Sequence, residues 1–157
     1  MKPNLSISPE NLKAINGILS IILADAMTLY IKTRKFHWNV SGESFMEIHE
    51  LFENQYKQLE SAIDEIAERI NKLGSPTIGT MKEFLELTTL KESPNTYPAR
   101  NEMIKELLSD HESVIGALRK SIDEIDEKYK DVGTADFLTN LIQDHETIAW
   151  KLRRYLN

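Results

Sequence analysis

Residues 45–74 read FMEIHELFENQYKQLESAIDEIAERINKLG. Apolar side chains return every three or four positions through them: Ile48, Phe52, Tyr56, Leu59, Ile63, Ile66, Ile70 and Leu73. That is the period of an α-helix buried along one stripe. Gly74 is a typical residue just past a helix end. Ser44 and Glu47 have the spacing of a capping box at the other end.

Proline placement extends this reading to the whole chain. The five prolines stand at 3, 9, 76, 94 and 98, leaving two long regions, 10–75 and beyond 98, free of proline. A first helix is expected from about Glu10 to about Trp38, with Leu12, Ile15, Leu19, Ile22, Ala26 and Leu29 on its stripe. The third follows Pro98, with Ile104, Leu107, His111, Leu118, Ile122, Ile125 and Tyr129. Thr134, after Gly133, is the expected N-cap of a fourth. Its stripe is Phe137, Leu141, His145, Ile148, Leu152 and Leu156. The link from about Ser75 to Thr96 contains MKEFLELTTL, enough for one short helix. Four long amphipathic helices with one long central connection predict an all-α, ferritin-like four-helix bundle. A short extra helix is expected between helices two and three. One domain over residues 1–157 is expected, with residues 1–9 as a short tail.

Composition narrows the function. There are no cysteines, so thiolate ligands and disulfides are excluded, and a metal would need His, Asp and Glu. The N-terminal stretch lacks the apolar core of a signal peptide. No apolar run is read as long enough to span a membrane, so a cytoplasmic protein is expected. The formal net charge of −6 disfavours nucleic acid as main partner and favours cations.

Ligands on one helix must stand three or four residues apart. Among the four histidines only His49 has a carboxylate at that spacing, Glu53. The Glu-x-x-His motif of bundle-core di-iron sites is absent, so such a site is not expected. His111 and His145 fall on apolar stripes and read as buried, hydrogen-bonded core histidines. On a helical wheel with Ile48 at zero, the apolar stripe of helix two centres near 25°. His49 then falls near 100°, Glu53 near 140°, Asp64 near 160° and Glu68 near 200°. These four point out of their own bundle.

His49 and Asp64 are about 22 Å apart along the axis, too far to share an ion. Packing the helix antiparallel against its own copy removes the difficulty. A two-fold between Gln58 and Leu59 sets His49 against Glu68, Glu53 against Asp64, and Lys57 against Glu60. Such a dimer has two identical sites. Each draws His49 and Glu53 from one chain and Asp64 and Glu68 from the other, and His37 is available as a fifth ligand. Imidazole with carboxylate suits Fe(II), with Zn, Mn or Co as competitors.

KFHWNVSGESFMEIHELFE, followed by AIDEIAERINKLG, resembles the Dps proteins, miniferritins named as DNA-binding proteins from starved cells. The resemblance extends to TIGT before the short helix and TADFLTNLIQDHE in the last one. It implies a homododecamer built from two-fold dimers around an iron-storage cavity. It also implies Fe(II) oxidation, with hydrogen peroxide preferred to dioxygen, and protection against oxidative damage. Carried over by position, the ferroxidase ligands are His37, His49 and Glu53 of one subunit with Asp64 and Glu68 of its neighbour. Many members have aspartate where this chain has Glu53. Trp38 takes the place of a tryptophan near the centre, either quenching stray oxidising equivalents or merely packing. Asp136 best matches the acids of the three-fold pore, with Asp126, Glu127 and Asp131 as looser matches. DNA binding does not carry over. Only Lys2 precedes Glu10, KLRRYLN reads as a helix end, and twelve chains carry roughly −72. The alternative is a nucleoid-associated, DNA-protecting protein whose iron chemistry is secondary.

Overall fold

A computed structural model describes residues 3–156; Lys2 and Asn157, both used in the reading of the tails, lie outside them. The described chain is all helical: α1 Pro9–Asn39, α2 Phe45–Lys72, α3 Met81–Leu87, α4 Arg100–Asp123 and α5 Val132–Arg154. One π-helical turn, Glu124–Lys128, prolongs α4. The four long helices and the short one in the link stand where the apolar periods place them.

Polar contacts fix the helix directions. His37 lies beside His49 and Tyr30 beside Tyr56, so α1 and α2 are antiparallel. Lys32 meets Asp110, and Asn11 reaches the Tyr129 carbonyl, so α4 also runs against α1. Tyr155 bonds Glu47 while Arg69 bonds Thr134, so α5 runs against α2. Hence α2 and α4 are parallel, and the 75–99 link crosses the length of the bundle. The core between the helices includes Leu19, Phe36, Phe52, Ile66, Leu107 and Leu138, all essentially buried.

Two predicted caps differ from those found. Ser44 has left-handed backbone, φ 56°, and its side chain caps nothing. Glu47 instead accepts the Tyr155 hydroxyl at 2.7 Å, which pushes the phenol up to about 12. The capping box forms at α3, between Thr80 and Glu83. The N-cap of α5 is Asp131 rather than Thr134, because Asp131 accepts the Thr134 backbone N–H at 3.0 Å and is gripped by Arg69. Gly74 ends α2 as expected. Its φ is 88°, and Gly74 and Ser75 donate back to the Asn71 and Ile70 carbonyls. A Cβ there would also come within 2.7 Å of the Pro3 ring.

The expectation about apolar runs needs correcting. An 18-residue window of α1 has mean hydropathy 1.7, long and apolar enough by composition to cross a membrane. Its apolarity serves the bundle, because α1 packs against α2, α3 and α4. Buried Asp25 shows the same. It accepts bonds from Thr88 Oγ1, Thr89 N, Thr89 Oγ1 and Leu90 N, fastening the crossing link to α1.

His111 and His145 are buried, as read from their stripes, and bond each other Nδ1 to Nδ1 at 2.8 Å. One ring must donate and the other accept. Burial pushes His145 down to about 4. Burial, and then the charge of His145, hold His111 well below its usual 6.5. The unfolded chain therefore takes protons that the native state refuses as pH falls from about 6.5 to about 4. Stability should drop over that window, by about 3 kcal/mol at most for His145 alone. Denaturant melts across the window check this, and His145→Gln should show a shallower acid limb.

Candidate metal centre

The loop between α1 and α2 is tight. Gly42 at φ 93° and Ser44 at φ 56° reverse the chain within five residues, so the last turn of α1 lies beside the first turns of α2. His37 and His49 consequently stack, with centroids 3.7 Å apart and planes 23° from parallel. His37 Nδ1 lies 2.8 Å from the His49 carbonyl, and His49 Nδ1 lies 2.9 Å from the His37 carbonyl. A carbonyl only accepts, so each Nδ1 carries the proton. In neutral rings both Nε2 atoms then keep their lone pairs for a metal. This is how second-sphere bonds orient histidine ligands. Tyr56 meets His37 edge-on at 5.2 Å, and Phe45 flanks His49 at 5.1 Å.

Glu53 stands one turn beyond His49 and is half-buried. Lys57 Nζ donates to it at 2.5 Å. That bond, then the charge of Lys57, holds the Glu53 carboxyl below its ordinary range, and His37 and His49 act in the same direction. Asp64 and Glu68 are exposed farther along α2, Asp64 about 16 Å beyond Glu53. Glu68 pairs with Lys72 at 3.0 Å. Among the described residues of one chain, no three His, Asp or Glu side chains converge on a point where an ion could sit.

Among the described residues Lys57 and Glu60 make no ion pair within a subunit: Lys57 holds Glu53, and Glu60 accepts the Tyr30 hydroxyl at 3.4 Å. Both line a broad hollow of about 650 Å³ with Met27, Tyr30, Ser61, Ile63, Asp64 and Ala67. This is the face on which the two-fold was expected. Trp38 does not pack in the subunit. It is 65% exposed, with the Arg34 guanidinium 5.4 Å from its ring. Asp136, Asp126 and Glu127 are exposed. Asp131 is not a free pore acid; it is buried and spent on capping α5 and binding Arg69.

The cluster beside His37 escaped the reading of the sequence. The Arg34 guanidinium lies 4.5 Å over the Tyr56 ring and donates to the Tyr30 hydroxyl. A signal was present, because Arg34 precedes His37 by three residues and Tyr56 follows His49 by seven. Those spacings put each on its histidine's face.

Comparison with known proteins agrees with the fold. The family model for the ferritin-like domain matches residues 17–157. A low temperature-induced protein of Nostoc is 42% identical over 153 residues, spanning 98% of this chain and 86% of its own. A DNA protection during starvation protein of Bacillus anthracis is 36% identical, spanning 92% of this chain and 98% of its own. Among solved structures, Dps from Vibrio cholerae superposes with a TM-score of 0.91 at 26% identity, covering 100% of this chain and 98% of that one. It is described as a member of a broad superfamily of ferritin-like diiron-carboxylate proteins. Dps from Thermosynechococcus elongatus gives 0.89 at 30% identity, covering 94% and 93%. With the family model spanning most of its length and such relatives on either side, the chain belongs to the ferritin-like proteins and, among them, to the Dps miniferritins.

Proposed function

We propose that this protein oxidises Fe(II) at centres shared between two subunits and stores the ferric product inside a twelve-subunit shell. His37, His49 and Glu53 of one subunit act with Asp64 and Glu68 of the two-fold neighbour. The observation that carries this reading is the reciprocal bonding of His37 and His49. It orients two imidazoles side by side with both Nδ1 atoms engaged and both Nε2 atoms left for a metal, on a face where, among the described residues, one chain brings no third ligand to the point.

Iron is substrate here. Three carboxylates favour Fe(III) over Fe(II), so the ligand set favours the product. Two Fe(II) ions each give up one electron. Hydrogen peroxide takes both with two protons, its O–O bond breaks, and two waters form. Paired electron delivery avoids releasing a hydroxyl radical, which fits a protective role in the cytoplasm. Exposed Asp136 is proposed to draw cations toward a pore.

The test is Fe(II) with peroxide or dioxygen, followed by the near-ultraviolet absorbance of ferric oxide. Oxidation should far outpace buffer, and faster with peroxide. Rates equal to buffer would support a bundle without metal chemistry. A low-salt gel shift of the intact assembly separates the DNA-protecting alternative, for which tight binding is required. Sedimentation should give a twelve-subunit particle.

A further inference from the structure

Helix α2 carries seven acidic residues and only two lysines, Lys57 and Lys72. Its arginine, Arg69, is committed to Asp131 and Thr134. The two ammonium groups are not spread over the acids. Lys57 pairs with Glu53 and Lys72 with Glu68, each one turn back toward the N-terminus. Lys57 also has Glu60 within helical reach at i+3, yet it holds Glu53. Among the described residues Asp64 makes no ion pair within the chain. So α2's lysines sit on the two glutamates proposed as metal ligands, and Glu50, Glu60 and Glu65 have no lysine.

In the antiparallel register, Glu53 of one subunit and Glu68 of the partner subunit belong to the same centre. Lys57 and the partner's Lys72 therefore arrive there together. An empty centre then sets two ammonium groups against three carboxylates, for a net charge near −1 rather than −3.

We infer that Lys57 and Lys72 are stand-in cations. They occupy the ligand carboxylates while the centre is empty, let the interface close without metal, and are displaced when a divalent ion enters. This rests on the proposed shared site and adds its regulation. Exposed i,i+4 pairs are weak, so a dication displaces them readily. Displacement also frees Lys57 for Glu60 of the partner subunit, so filling the centre and tightening the two-fold reinforce each other, as linkage requires.

The experiment is a Co(II) titration of the intact assembly, read by calorimetry and by the visible absorbance of bound Co(II). Lys57→Met and Lys72→Met should each bind Co(II) about tenfold more tightly at low salt, the effect of removing one positive charge some 6 Å from a dication in water. High salt should narrow the difference. Lys57→Arg keeps the charge and should bind as the parent does. Metal-free particles of the Met variants should dissociate more easily, and Co(II) should restore them. Both lysines are mostly exposed, so the variants should fold, which circular dichroism checks. Unchanged or weaker Co(II) affinity in both Met variants overturns the stand-in role, provided His49→Ala abolishes binding in parallel. Co(II) binding that survives His49→Ala overturns the site itself.

Discussion

Assemblies made from His49→Ala subunits alone, or from Asp64→Ala subunits alone, should lose rapid Fe(II) oxidation, by about a hundredfold or more. Co-assembling the two variants should bring activity back. In a mixed two-fold pair, one centre collects both lesions and the other none, so one intact centre results. Random pairing makes half the pairs mixed, so about a quarter of the original rate should return. A site contained within one subunit predicts no recovery at any mixing ratio. Both variants alter solvent-facing or half-buried side chains, so helicity should survive. The His49 side chain does anchor the His37 carbonyl, so the loss in His49→Ala combines a missing ligand with a loosened neighbour.

Asp25→Ala should cause the largest loss of stability outside the hydrophobic core. The carboxylate takes four hydrogen bonds from residues 88–90, at 2.6 to 3.3 Å. Alanine leaves the Thr89 N–H and two hydroxyls to find water, and leaves the Leu90 N–H only the Thr88 hydroxyl at 3.2 Å. The expected cost is about 3 kcal/mol, or a melting point lower by about 10 °C for a subunit of this size. The four long helices keep their packing, so helical content at low temperature should hardly change. Limited proteolysis should find new cuts near residues 88–98, where the link is no longer held to α1. Asp25→Asn retains one acceptor oxygen and should lose less.

The helices were legible because apolar periodicity is a local signal, and the polar face of α2 because a helical wheel is geometry. What escaped is non-local. The spacing of Ser44 and Glu47 satisfies a capping pattern, but the Tyr155 hydroxyl, 108 positions away, takes Glu47. Thr134 gives way to Asp131 as the cap of α5 because Arg69 reaches across from α2. Asp25 interrupts an apolar stretch, and only the fold reveals that three consecutive residues of the link converge on it. At the candidate centre the residue types were readable. The exchange of Nδ1–H bonds between two histidines and each other's carbonyls was not, since it depends on the turn at Gly42 and Ser44. Nor did the sequence show that Lys57 holds Glu53 within the chain.

The crossing link has a consequence for synthesis. It divides the molecule into an α1–α2 hairpin and an α4–α5 hairpin, and all five proposed ligands lie in the first, between His37 and Glu68. The first hairpin leaves the ribosome carrying all five proposed ligands. It is also without the partners for Ile48, Phe52, Leu59 and Ile66, whose cover comes partly from helices not yet made. For that interval the nascent chain shows an oily stripe on one side and acids and imidazoles on the other. Iron arriving too early would meet loose ligands on a sticky surface, a recipe for aggregation.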